Sequence, residues 1–183
     1  GKDLGRLVKG ERTAEYEALR FFTSAIDWSP DGTRVVFPAK SGARDALYII
    51  DVKKKKKVGR IQPVELDAMT SPCWSPDGTR FAFTGYSGGR SDLFIVDADG
   101  ANLVRLTQDQ YADKDPRWSP DGTTLVFSTD RFGDTDFDAL HFAPEQIALI
   151  DVATRAITPL PDMAGKNISP HWSPDGAEIL FVS

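Results

Sequence analysis

The chain has little cysteine, little histidine and no long hydrophobic run. Its single cysteine, Cys73, cannot form an intramolecular disulfide, and no apolar stretch approaches the ~20 residues that a membrane-spanning helix needs. Acidic residues outnumber basic ones by 27 to 22, which gives a net charge of −5. Because phosphate binding usually requires a basic face, the composition predicts neither nucleic-acid binding nor direct insertion into a membrane.

Sequence signatures of catalysis are missing as well. The chain contains no Gly-x-Ser-x-Gly elbow, no His-Glu-x-x-His motif and no phosphate-binding glycine loop. Its two histidines, His141 and His171, are too few for a His-rich metal centre. Nothing in the sequence places a Ser-His-Asp triad, so we expect a protein that is not an enzyme.

What the sequence does contain is a repeat. The pentapeptide Trp-Ser-Pro-Asp-Gly occurs four times without change, at intervals of 46, 44 and 54 residues, and includes every tryptophan of the chain. Pro fixes φ at about −65° in the second position of a tight turn, Asp suits the third and Gly accepts the positive φ of the fourth. The motif therefore predicts a short hairpin. The motif residues are Trp28, Trp74, Trp118 and Trp172, and Gly32, Gly78, Gly122 and Gly176.

Strand patterns follow each turn in the same order. The second strand alternates apolar and polar residues and closes with a Phe, the third ends in Asp, and a short fourth strand comes after a polar turn. Four antiparallel strands in about 45 residues is the period of a β-propeller blade. The predicted fold is all-β, with three complete blades and one split between the termini. The blades are predicted at 24–62, 70–107 and 114–160, with the split blade at 168–183 plus 3–8.

The tryptophans are expected to pack between neighbouring blades. A blade cannot bury both of its faces alone, and one Trp side chain can bury ~150–250 Å². Cys73 directly precedes Trp74 in a predicted strand and is expected to be a buried structural thiol.

The repeat resembles that of the TolB-like, WD40-like β-propellers. The resemblance rests on the four pentapeptides, the Phe-ended strands and the strand-turn Leu-Phe-Ile-Val-Asp-Ala-Asp-Gly at 93–100. It implies a non-catalytic scaffold that binds a protein or a peptide, located in the periplasm or cell envelope. Two alternatives stay open: an accessory propeller that gates a prolyl-oligopeptidase-type hydrolase, and a fragment of a larger envelope protein. Because TolB-like propellers usually have more blades, a homo-oligomer that completes the ring is a further alternative.

Candidate partner-binding residues lie in the loops that join second to third strands and fourth to first strands. These loops share one face of a propeller, and binding residues concentrate in such loops. Aromatic and arginine side chains often anchor interfaces. The candidates are Arg44, Tyr86, Arg90, Asp113 and Phe137.

Two further groups are candidates for binding a small ligand or a metal. The long loop of the third blade carries alternating carboxylates, which suit a hard cation such as Ca²⁺, although the EF-hand pattern is not met and a solvated acidic loop is the alternative. The residues that precede each Trp are expected to line a central channel, where a metal-dependent propeller enzyme would hold its metal. The loop candidates are Asp130, Asp134, Asp136 and Asp138, and the channel candidates are Asp27, Arg117 and His171.

Two segments depart from the repeat without a clear chemical signature. The lysine run 53–57 falls in the turn between third and fourth strands, where we expect a solvated cap that protects an edge strand. The segment 13–20 has the composition of a helical turn, with Thr13 as its cap.

Overall fold

Fifteen β-strands and no helix form within residues 18–19 and 25–183, which the computed structural model describes. In that part of the chain there is accordingly no helix that could cross a membrane. All strand pairs are antiparallel, and the sheets follow one another along the chain, which confirms the all-β prediction. The strand predicted at 3–8 lies outside the described residues.

The first sheet, blade one, contains β1 (Ala18–Leu19), β2 (Asp27–Trp28), β3 (Arg34–Ser41), β4 (Arg44–Asp51) and β5 (Lys56–Ile61). Both β1 and β2 pair with β3, so together they take the place of the innermost strand. The helical turn predicted at 13–20 is wrong at Ala18 and Leu19, because these residues pair with Lys40 and Ala39.

The next two sheets have four strands each, in sequence order. Blade two consists of β6 (Ala68–Trp74), β7 (Arg80–Ser87), β8 (Arg90–Asp97) and β9 (Val104–Arg105). Blade three consists of β10 (Asp113–Trp118), β11 (Thr124–Thr129), β12 (Gln146–Asp151) and β13 (Ile157–Pro159). A last hairpin pairs β14 (Ile168–Trp172) with β15 (Ile179–Val182).

The pentapeptide forms the same turn each time. In the first copy, Gly32 has a φ of 66° and donates its N–H to the Ser29 carbonyl at 2.8 Å. The Asp31 carboxylate accepts hydrogen bonds from the Ser29 hydroxyl and from both the N–H and the hydroxyl of Thr33. Consecutive turns also touch, because a Cβ at Gly78 would lie 3.6 Å from Pro30, and Gly122 and Gly176 meet the preceding copies in the same way.

Two of the four tryptophans lie between blades as predicted. Trp74 is 5% exposed in a core shared by blades one and two, with the Arg34 guanidinium 4.7 Å above its ring. Trp118 is 7% exposed between blades two and three, with Arg80 at 4.9 Å. Trp172 is half-buried. The prediction is wrong for Trp28, which is 48% exposed because no described blade covers its outer side.

Each innermost strand from β6 onwards carries a bulge that the sequence analysis missed. Ser71, Asp115 and Ser169 adopt positive φ angles of 51°, 54° and 54°, and the strand register shifts there. A Pro follows each of them, two residues before the Trp. Pro lacks a ladder donor, so it is confined to edges and bulges of a sheet. This recurring Pro is the sequence feature from which the bulges could have been predicted.

Candidate binding site on the loop face

A cleft opens at the junction of blades two and three. It has a volume of about 520 Å³ and is lined by 89–91, 110–112 and 142–145, with Lys114, Asp130 and Lys166. These segments are the hairpin of blade two, its connection to blade three, the long loop of blade three and the connection that follows it. We call this surface the loop-face cleft. It lies among the loops that join second to third and fourth to first strands.

One wall of the cleft is a stack of aromatic rings. The ring centroids of Tyr111 and Phe137 are 5.7 Å apart, those of Phe137 and Phe142 are 6.1 Å apart, and both pairs meet edge to face. Phe137 is half-buried inside the stack, whereas Phe142 is 56% exposed at its end. Phe142 is therefore the most exposed ring of this wall, and no local pattern in the sequence predicts its exposure.

The aromatic stack is anchored by Arg131. This side chain is 11% exposed and forms ion pairs with Asp109 at 2.9 Å and Asp113 at 2.6 Å. Its Nε donates a hydrogen bond to the Thr129 hydroxyl at 3.2 Å, and its guanidinium lies 5.4 Å over the Tyr111 ring. Arg131 thus ties the long loop of blade three to the connection that precedes β10.

Asp113 is not available to a partner. Its side chain is fully buried beneath Arg131, so the prediction that it contacts a binding partner is wrong. Burial raises the pKa of the Asp113 carboxyl, although the charge of Arg131 opposes that shift. The sequence pattern placed Asp113 at a loop boundary but could not show that a distant arginine covers it.

Two lysines that line the cleft share one carboxylate. Lys114 Nζ lies 2.7 Å from Glu145 Oε1, and Lys166 Nζ lies 3.2 Å from Oε2. Burial opposes ionisation of Glu145, but the two ammonium groups prevail and lower its pKa. Burial likewise opposes the charge of Lys114, and Glu145 reverses that effect and raises the Lys114 pKa. Glu145 and Lys114 therefore hold each other in their charged forms.

The remaining partner-binding candidates are distributed over two blades. Arg44 and Arg90 are exposed at equivalent hairpin positions, opposite Ser41 and Ser87. Arg90 lines the cleft, whereas Arg44 lies one blade away. Tyr86 is half-buried, and its hydroxyl is close enough to Lys114 to affect the pKa of that lysine.

The four carboxylates proposed as a metal site do not come together. Asp130 is 4% exposed and accepts the Ala112 N–H at 2.8 Å, while Asp136 Oδ1 accepts the N–H groups of Asp138 and Ala139. Over residues 25–183, no three His, Cys, Asp or Glu side chains are arranged to hold a metal ion. This arrangement contradicts the prediction that Asp130, Asp134, Asp136 and Asp138 bind Ca²⁺, because Asp130 and Asp136 are engaged by backbone N–H groups and the four carboxylates form no cluster.

The residues before each Trp lie near one another on neighbouring innermost strands. Asp27 Oδ2 accepts the Trp74 N–H at 2.8 Å, and the buried Cys73 thiol donates to the Pro116 carbonyl at 3.1 Å. Burial raises the pKa of Asp27 against the charges of Arg117 and His171. Burial lowers the pKa of His171, and the Arg117 charge adds to that effect. These contacts join blades, and a ligand-binding role for the channel residues stays a prediction.

Comparison with known proteins identifies the same architecture. The family model of the TolB beta propeller domain matches residues 28–142, more than half of the chain. A protein assigned as TolB from Agrobacterium tumefaciens is 26% identical, with a TM-score of 0.67 over 86% of this chain and 57% of that one. TolB from Acinetobacter baumannii is 23% identical, with the same TM-score over 87% of this chain and 38% of that one.

A more distant likeness extends to an enzyme. The tricorn protease is 16% identical, with a TM-score of 0.61 over 82% of this chain but 14% of the protease, and shows the fold alone. No curated protein sequence matches the chain. The chain thus spans about 57% and 38% of the two TolB structures. With the family model matched across its blades and the same fold in both TolB structures, the chain belongs to the TolB beta propeller domain family.

Proposed function

We propose that this propeller segment is a non-catalytic scaffold that binds a protein or an extended peptide at the loop-face cleft. The observation that carries the proposal is the exposed Phe142 ring at the end of a braced aromatic wall, with Arg90 lining the same cleft. Aromatic and arginine side chains provide a large share of binding energy at protein interfaces. A mostly buried ion network supports this wall, so little ordering remains when a ligand binds.

Arg90 and Phe142 are assigned the central contacts, while Tyr86 and Phe137 support them from partly buried positions. Arg44, one blade away, is assigned a place at the rim, where a longer partner reaches it. Rim residues exclude water and contribute less to affinity than central ones.

The setting that we propose is the periplasm or cell envelope. It is supported by the likeness to two proteins assigned as TolB, and the chain spans only part of each. A gating propeller of a hydrolase is the second candidate, favoured by the likeness to the tricorn protease. An assay of the protein in its native form decides between them, because peptide hydrolysis supports the second candidate.

The test is selection of linear peptides from a displayed random library on the purified chain, followed by affinity measurements. The variant Arg90→Ala with Phe142→Ala is expected to lose roughly tenfold or more in affinity, because each is a candidate anchor. The matched control, Lys53→Ala with Lys56→Ala, removes two exposed lysines of blade one, the first between β4 and β5 and the second at the start of β5. Equal affinity of all three proteins for the selected peptides contradicts the proposal.

A further inference from the structure

Cations outnumber carboxylates in the loop-face cleft. Arg90, Lys114 and Lys166 line it, together with only two carboxylates, those of Asp130 and Glu145. The whole chain has a net charge of −5, so this positive surplus is local and opposite in sign to the protein. A local surplus of this kind acts on the part of a ligand that enters the cleft.

Both carboxylates of the cleft are already engaged. Asp130 is 4% exposed and accepts a backbone N–H, and Glu145 is 14% exposed and is shared by two ammonium groups. Glu145 contacts both lysines and the Asp130 charge also acts on Lys114, so the cleft as a whole keeps a surplus of one positive charge. Lys166 keeps 64% of its side chain exposed and is therefore accessible to a second anion.

Arg90 adds a second accessible cation. It is exposed, and its guanidinium has no ion-pair partner in the part of the chain that the structure describes. A guanidinium offers parallel N–H donors that match the two oxygens of a carboxylate. The cleft thus presents two accessible cations, Arg90 and Lys166, together with the exposed Phe142 ring.

From this combination we infer that the loop-face cleft recognises an acidic peptide segment of a partner protein, in which an Asp or Glu stands next to an aromatic or aliphatic side chain. The inference rests on the proposed function and narrows its ligand class. The carboxylate pairs with Arg90 and Lys166, and the apolar side chain packs on Phe142.

The surroundings favour a peptide over a nucleic acid. A nucleic acid needs a basic stripe that follows several phosphates, whereas the surplus here is confined to one cleft of about 520 Å³. Asp134, Asp136 and Asp138 are exposed on the same loop and repel a chain of phosphates. A peptide with one or two carboxylates carries fewer negative charges and meets less of that repulsion.

The test uses short synthetic peptides with a central Phe that is flanked on both sides by Glu, by Lys or by Ser. Their affinities for the purified chain are measured by fluorescence anisotropy at several salt concentrations. We expect the Glu peptide to bind roughly tenfold more tightly than the Ser peptide, with the Lys peptide weakest, and the difference to shrink as salt increases.

Charge reversal provides the decisive variant. Arg90→Glu with Lys166→Glu is expected to invert the order, so that the Lys peptide binds most tightly. The control Lys53→Glu with Lys56→Glu makes the same change in net charge away from the cleft and is expected to keep the original order. Circular dichroism of both variants verifies that they are folded before the affinities are compared.

The outcomes separate this inference from the proposed function. If the Glu, Lys and Ser peptides bind with equal affinity and Phe142→Ala abolishes their binding, the acidic-ligand inference is overturned and the proposed function still holds. Failure of every peptide, including those from the displayed library, contradicts both. A short DNA oligonucleotide that competes with the Glu peptide at similar affinity overturns the inference in favour of a general anion site.

Discussion

At the scale of single residues, the aspartates of the four turns are the most regular feature of the molecule. Each carboxylate accepts a hydrogen bond from a Ser hydroxyl and another from a backbone N–H two residues later. The Ser hydroxyl is the main cause that lowers the pKa of Asp31 to about 2, and the backbone N–H adds to it. The same contacts lower the pKa values of Asp77, Asp121 and Asp175.

These shifts predict a loss of stability in acid. A carboxylate whose pKa is lower in the folded state stabilises the protein above its unfolded pKa, and this stabilisation is lost as the pH falls through the folded pKa. The stability advantage of the wild type over Asp31→Asn is therefore expected to shrink between pH 3.8, the ordinary value, and about 2. Urea unfolding of both proteins across this range tests it. Replacement of the exposed Glu65 by Gln serves as the control. A stability difference between the wild type and Asp31→Asn that stays constant down to pH 2 contradicts the lowered pKa of Asp31.

The tryptophans predict a second residue-level contrast. Trp74 is 5% exposed between two blades, whereas Trp28 is 48% exposed. Truncation of a buried aromatic side chain costs about 3–5 kcal/mol, because it removes buried surface and leaves a cavity. We expect Trp74→Ala to lower the free energy of unfolding by about that amount and Trp28→Ala by clearly less. Chemical denaturation measures both, and equal losses contradict the packing described for Trp74.

At the scale of elements, the long loop of blade three is held by one buried ion network. Arg131→Ala leaves the Asp113 carboxylate buried without its partner, which costs about 3–5 kcal/mol. The double variant Arg131→Met with Asp113→Leu removes both charges and is expected to recover most of that loss. Thermal unfolding compares stabilities, and hydrogen exchange at 132–142 reports whether the loop loosens. A double variant no more stable than Arg131→Ala argues against the ion pair as the cause.

The same element shows what the sequence could and could not predict. The strands and turns follow from local signals, since Pro, Asp and Gly specify each turn and alternation specifies each strand. The cleft draws on several separate segments, so no local pattern predicts that Arg131 covers Asp113 or that Lys114 and Lys166 share Glu145. Arg90 could be selected as a candidate from the sequence because it lies at a hairpin tip. Phe142 could not be selected in this way, because its exposure depends on how a long loop folds.

At the scale of the whole molecule, the blades form an array in which each packs against its neighbours in the sequence. The core of blade two is shared with blade one through Trp74 and with blade three through Trp118. The last hairpin, in contrast, leaves Leu180 and Val182 64% and 60% exposed. In repeat arrays, stability is approximately a sum of repeat and interface contributions, so a unit with two interfaces is more stable than one at an open end.

Native-state hydrogen exchange is therefore expected to show a gradient along the chain. Amides of β7 and β8 exchange only on global unfolding, whereas those of β14 and β15 exchange through local opening at a lower free energy. Leu93→Ala, at a fully buried site beside blade three, is expected to cost about 2–5 kcal/mol and to raise exchange in both blades. Leu180→Ala changes stability by no more than ~0.5 kcal/mol, since its side chain is mostly in solvent. Uniform protection from blade one to β15 contradicts the array, because it requires one cooperative core rather than a series of interfaces.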